Sequence, residues 1–245
     1  GRKGTGQVVE TTLAVPAGSL DAYWIERLAE RGVGMAEETN RFGERTLPFE
    51  DPDGLALALV EIEEDREFAA WESSAVPAEW QIRGVHAVRI PERELRPTVE
   101  LLTSVMGFEP VAEDGGWRRY AAGEGSGAYA EIAEAPERPE GRWGAGTVHH
   151  VAWRVKDDEE QAGLRAAVLR AGLRPTEPID RFWFRSVYFR EPGGTLFELA
   201  TDGPGFDRDE PAAKLGETLV LPPWLEEDRE AIEARLPVLA APAGA

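Results

Sequence analysis

The sequence contains no cysteine. That excludes disulfide bonds, thiolate metal sites and a thiol nucleophile, so a metal would have to rest on His, Asp or Glu. Long apolar runs are missing too. None approaches the roughly 18 residues that a membrane-spanning helix requires, and the amino end GRKGTGQ lacks the apolar heart of a signal peptide. A cytoplasmic location is the expectation. Basic residues are scarce, 27 Lys and Arg against 46 Asp and Glu, for a formal net charge of −19. Such a surface argues against nucleic acid or an anionic membrane as a partner. The acidic runs Glu61 to Glu67 and Glu226 to Glu230 read as exposed, solvated faces.

What is present is enough apolar residue for a substantial core, 42% of 245 residues. One pattern also occurs three times: a strand, an amphipathic helix closed by glycine, then further strands. The helices read SLDAYWIERLAERG, RELRPTVELLTSVMG and DEEQAGLRAAVLRAG, ending at Gly32, Gly107 and Gly172. Glycine suits the left-handed position after a helix. The first strands VETTLAV, HAVRIPE and HHVAWRV align Glu10, Ala87 and His150, which lie 22, 20 and 22 residues before those glycines. The last strands align Ala58, Glu131 and Glu198, which lie 26, 24 and 26 residues beyond them.

Each unit therefore reads βαβββ, with PDG or PGG turns entering the last strand of the first and third. The expected fold is α+β, with repeated βαβββ modules forming curved, mostly antiparallel sheets. The modules fall at 1–66, 82–135 and 146–205, with a tail at 206–245 that carries one helix, PPWLEEDREAIEARL, packed across the units. The segments Glu67 to Gln81 and Ala135 to Ala145 read as connectors.

The most informative stretch runs from Val148 to Phe206. It places an imidazole, His150, on one strand, and a lone acid, Glu198, among Leu196, Phe197, Leu199 and Ala200 on another. Burying that carboxylate is costly unless something positive meets it, and a metal ion would. His149 neighbours His150, but successive strand residues face opposite sides, so both enter one cup only at a bulge or a strand end. For His150 taken alone, a hydrogen-bonded core or surface histidine is the plainer reading; for His149, a strand-end histidine facing solvent or a neighbour is the alternative.

The motifs GTVHHVAWRVKD, DRFWFRSVYFREPGGTLFELATDGPGF, GTGQVVETTLAVPAGSLDAYW and PPWLEEDREAIEARLP resemble the vicinal oxygen chelate (glyoxalase/bleomycin resistance/dioxygenase) superfamily. Within it they resemble the ring-cleaving dioxygenases of the hydroquinone and chlorohydroquinone type. In that superfamily βαβββ modules pair around a metal cup. The resemblance implies four modules where three are visible. On it, a leading module of about sixty residues, bearing a further histidine ligand, is expected but absent here. The sheet edge it would have covered is a route to a homo-oligomer.

The resemblance further implies that His150 and Glu198 supply two members of a two-histidine-one-carboxylate triad for Fe(II), with Mn(II) as the alternative metal. It makes His149 an acid-base residue, since imidazole titrates near neutral pH. Tyr188 and Arg181 become groups that steady an oxyanion of the substrate. Arg185 and Arg190 lie close by, and the choice of Arg181 rests on the resemblance alone. Glu10 and Glu131 fill ligand-equivalent positions whose partners are Ala58 and Ala87, so they read as exposed or structurally paired acids. His86, equivalent to His149, reads as a relic without metal contact.

The expected activity is thus Fe(II)-dependent, extradiol-type cleavage of a hydroquinone-like dihydroxy aromatic by O2. The alternatives are a glyoxalase-like metal-dependent lyase or isomerase, which would consume no oxygen, and a non-catalytic binder of small molecules.

Overall fold

The structure is a computed structural model that describes residues 1–237, so residues 238–245 of the expected tail lie outside the described residues. Eight strands form one sheet: β1 (Glu10–Pro16), β2 (Thr39–Arg41), β3 (Glu44–Glu50), β4 (Ala56–Ile62), β5 (Val85–Glu92), β6 (Glu109–Asp114), β7 (Trp117–Ala121) and β8 (Tyr129–Glu134). Their order is β2-β3-β4-β1-β5-β8-β7-β6. A second sheet, ordered β10-β11-β12-β9, holds β9 (Val151–Val155), β10 (Ile179–Asp180), β11 (Arg185–Arg190) and β12 (Leu196–Thr201). The fold class is α+β with mixed sheets.

The alignment read from sequence has a physical counterpart in strand register. β1 pairs in parallel with β4, β5 with β8, and β9 with β12. Ala58 stands opposite Thr12, Glu131 opposite Arg89 and Glu198 opposite Ala152. In each case the partner lies two residues past the aligned first-strand position. β1 and β5 also pair with each other, antiparallel, whereas β9 has β12 as its sole neighbour among the described residues.

Gly32, Gly107 and Gly172 all take positive φ, of 70°, 76° and 84°, and each ends its helical segment as expected. The helices are α1 (Ile25–Glu30), α2 (Leu95–Glu100), which admits Pro97 in its first turn, and α3 (Asp158–Arg170). The carboxylate of Asp157 caps α3 by accepting from the N–H groups of Glu159 and Glu160 at 3.1 and 3.0 Å. α3 is locked onto the second sheet by Gln161, whose buried amide donates to the carbonyls of Arg185 and Leu199 at 3.0 and 2.8 Å. One core joins α3 and β9, β11 and β12 to β5, β8 and the helical segment that follows β5, through Trp153, Val187, Phe197, Leu199, Ile90 and Leu102.

Two parts of the sequence reading are corrected. The run Glu61 to Glu67 is not wholly solvated: Arg66 is buried, and Glu61 accepts from the N–H of Leu20 at 2.8 Å, closing the start of the first helical turn. In the tail, a 3-10 turn (Pro223–Asp228) leads into α4 (Arg229–Glu233), and Trp224 meets Phe182 edge-on rather than spanning the units.

The two sheets are also tied by a buried acid pair. Glu92, at the end of β5, is fully buried and no donor reaches either of its oxygens, while the Glu191 carboxylate lies against it. A Cβ on Gly193 would come within 1.7 Å of Glu92 Oε2, so only glycine leaves room for it. Burial first, then the charge of Glu191, push the Glu92 carboxyl up to about 9 from its ordinary 4.5. Its proton supplies the missing donor.

Because the folded state holds that proton more tightly than the unfolded chain, this stabilisation is complete below pH 4.5 and is lost as the pH rises towards about 9. Thermal midpoints measured between pH 6 and pH 9 should therefore fall for the wild type and stay flatter for Glu92→Gln. Parallel curves would show that Glu92 folds already ionised.

Candidate active site

The second sheet brings His150 and Glu198 together. His150 stands immediately before β9, and Glu198 is the third residue of β12, one pair along the parallel ladder from Phe197 opposite Val151. Alternation sends Phe197 and Leu199 into the core beside α3 and leaves Glu198 on the opposite face. That is how a carboxylate sits inside an apolar strand. It is 2% exposed, with Oε2 at 2.7 Å from His150 Nε2 and Oε1 accepting from the Ser186 hydroxyl.

Imidazole nitrogen and carboxylate oxygen are both donor types that suit Fe(II) or Mn(II). Among the described residues no group of three His, Asp or Glu joins them. His150 also lines an open cavity of about 700 Å³ with Ala152, Val85, Phe108 and Val148.

His149 is drawn to the same place because β9 begins only at Val151, so the pair sits at a strand end where strict alternation has not yet set in. Its Nδ1 lies 3.0 Å from Nδ1 of His150. On its other side Trp143 lies against it, with ring centroids 4.6 Å apart, and the Arg190 guanidinium lies 4.5 Å from the centre of the indole. Tyr188 stands opposite Glu198 on β11, and its ring meets His150 edge-on at 5.7 Å. Arg181 donates to the Tyr188 hydroxyl at 3.3 Å, whereas Arg185 pairs with Asp158 and Arg190 turns to Trp143 and the Gly194 carbonyl.

All five residues singled out in the sequence, His149, His150, Arg181, Tyr188 and Glu198, thus gather on one face. The sequence reading missed Ser186 and Trp143. Ser186 was legible in principle, two residues before Tyr188 on the same strand face. Trp143 was not, since it lies in a connector without periodicity.

The equivalent place in the larger sheet is filled by charge of the other sign. Glu131 Oε1 accepts from Arg119 at 2.7 Å and Oε2 meets Arg89 at 3.0 Å, while Glu10 pairs with Arg41. Of the two readings open for these acids, exposed or structurally paired, the structure shows the second. His86 is buried, with Arg66 at 3.0 Å from Nδ1 and Glu44 at 3.2 Å from Nε2. Burial works to raise the Glu44 carboxyl, but bonds from His86 and Arg119 outweigh it and hold the group below its ordinary value.

A family model described as the Glyoxalase/Bleomycin resistance protein/Dioxygenase superfamily matches residues 84–199. The chain is 40% identical over 241 residues to a Bacillus subtilis (strain 168) protein named as ring-cleaving dioxygenase MhqA, covering 95% of this chain and 76% of that protein. It is 36% identical to the chlorohydroquinone/hydroquinone 1,2-dioxygenase of Sphingobium indicum over 234 residues, 92% of this chain and 71% of that one. A crystal structure of a dioxygenase from Bacillus subtilis superposes with a TM-score of 0.92 at 38% identity, covering 98% of this chain and 76% of the other.

Proposed function

Because the chain belongs to the ring-cleaving dioxygenases of the glyoxalase/bleomycin resistance protein/dioxygenase superfamily, we propose that it opens the ring of a hydroquinone-like dihydroxy aromatic with O2, using Fe(II) held by His150 and Glu198. The observation that carries this reading is the pairing of the buried Glu198 carboxylate with His150 Nε2 at 2.7 Å, on a face that also holds Tyr188, Arg181 and His149. Bound there, Fe(II) would supply the electron relay that couples an electron-rich ring to O2.

The protein's own groups have separable tasks. Ser186 holds one oxygen of Glu198, so the other, which faces His150 Nε2, is the one that would meet the ion. With Nε2 of His150 turned to a metal, its Nδ1 carries the proton and donates it to Nδ1 of His149, which fixes both rings. His149 then carries its own proton on Nε2 and can donate it as a hydrogen bond to a substrate oxygen. Because Arg181 donates to the Tyr188 oxygen, the phenolic proton is left to point at a negative substrate oxygen, and the guanidinium adds favourable charge. Trp143 screens one side of His149 from water.

Oxygen uptake after anaerobic Fe(II) loading tests the reading. Hydroquinone should be consumed with one O2 per ring opened, and both oxygen atoms should appear in the product. A protein that holds iron yet takes up no oxygen with hydroquinones or catechols would overturn it.

A further inference from the structure

We propose that Phe184 and Phe206, backed by Trp183, form the wall against which the substrate ring packs, and that this wall sets which ring substituents are accepted; the inference rests on the aromatic-substrate reading above. On β11, Ser186 and Tyr188 face Glu198, and Phe184 lies two residues before Ser186, in the turn that leads into the strand. Between Glu198 and Phe184 the floor of the cup is made by Ala152 and Ala200, opposite Glu198 and Ser186 in the ladders. Their methyl groups are too short to fill it. Tyr188, which stands opposite Glu198, and Phe184 are four residues apart, about 13 Å along an extended chain, so the open floor has room for one benzene ring between the acid and the phenylalanine.

The far end of that floor is built from aromatic side chains. Phe184 meets Phe206 with centroids 5.9 Å apart, and Phe206 is stacked on Trp183 at 6.3 Å and 20°. Yet Phe206 is 63% exposed. An aromatic patch open to water beside a polar site marks a surface that takes a ligand, and planar rings favour a planar ring as that ligand.

The turn that presents these rings is held firmly. Phe182 is fixed at a φ of 71°, rare for a bulky residue, and conformations of this kind cluster at ligand clamps. The carbonyl of Phe182 accepts from Arg208, that of Trp183 accepts from the Gly205 N–H at 2.8 Å, and the Trp183 indole donates to Asp209 at 2.9 Å. Arg181, which reaches Tyr188, begins the same turn. The wall and the oxyanion-steadying pair therefore move as one piece.

The test uses the full chain loaded anaerobically with Fe(II). Hydroquinone and 2,6-dimethylhydroquinone are titrated calorimetrically, and iron content and steady-state oxygen uptake are measured alongside. Phe206→Ala should raise the Kd and KM of hydroquinone about tenfold, the loss of one stacked ring, with iron content unchanged. The wild type should exclude the dimethyl ring and Phe184→Ala should admit it. Phe184→Met, close in volume, should keep the exclusion, which separates a lost wall from a loosened fold.

Unchanged Kd, KM and selectivity in the alanine variants would overturn the proposal. Hydroquinone binding without oxygen uptake by the wild type would sink the dioxygenase reading alone, and the same Kd ratios would still decide on the wall. No binding by the wild type would sink both.

Discussion

Glu198→Gln should empty the protein of iron and lower oxygen uptake by at least ~10³-fold, equivalent to about 4 kcal/mol of barrier, while leaving the metal-free fold intact. The amide has nearly the shape of the acid, and its oxygen can still accept from Ser186. What it lacks is the charge that makes a carboxylate a ligand for a hard divalent ion. Without metal, Glu198 is a buried acid whose companions are a hydroxyl and the imidazole of His150. Replacing such an acid by a neutral isostere costs little and can stabilise.

The two readouts thus move apart. Iron content, measured after gel filtration, collapses, and the thermal midpoint of the metal-free protein holds or rises. If the variant instead retained iron, or if its metal-free form unfolded, Glu198 would be a structural residue and the site would have to be sought elsewhere.

How far this site could be read from the chain depends on which of its features are periodic. Glu198 was visible because an acid in the run LFELA breaks an otherwise apolar strand, and alternation then dictates that it faces away from Phe197 and Leu199. The register across Glu10, Ala87 and His150 was visible because helix length and strand length are repeated, and the ladders place all three pairs two residues apart. Trp143 reaches His149 through a connector whose path is set by contacts with the amino-terminal segment, such as the bridges Arg2 to Arg142 and Thr5 to Glu140. No local pattern encodes such a path. The choice among Arg181, Arg185 and Arg190 was likewise beyond local reading. It is decided by a turn that aims Arg181 at Tyr188, by Asp158 on α3 capturing Arg185, and by the indole of Trp143 capturing Arg190. The burial of Arg66 within an acidic run was hidden for the same reason: His86, which it contacts, is 20 residues away.

The larger sheet offers the complementary test, because there the aligned acid meets arginines. Glu131 is 2% exposed and takes bonds from Arg119 and an ion pair from Arg89, which itself lies 3.8 Å from the centre of the Trp117 ring. Glu131→Leu should lower stability by about 3–5 kcal/mol, the usual cost of leaving buried charge uncompensated. For a chain of this size that is a fall of roughly 6–20 °C in thermal midpoint. Iron binding at His150 and Glu198 should not change, since no residue is shared between the two clusters.

Adding Arg119→Met to Glu131→Leu should recover part of the loss, because one of the stranded cations is then removed while Arg89 keeps Glu10 within 3.9 Å. A double variant less stable than the sum of the singles would mean that Arg119 works chiefly through Glu44, at 2.7 Å, and Phe42, 4.2 Å from its guanidinium. In either outcome the aligned acids have taken opposite solutions to one electrostatic problem. Glu131 meets guanidinium groups supplied by the chain itself, which fixes the fold and closes the position to a ligand. Glu198 meets an imidazole and a hydroxyl, neither of which carries a fixed positive charge, and so remains open to a cation that can do chemistry.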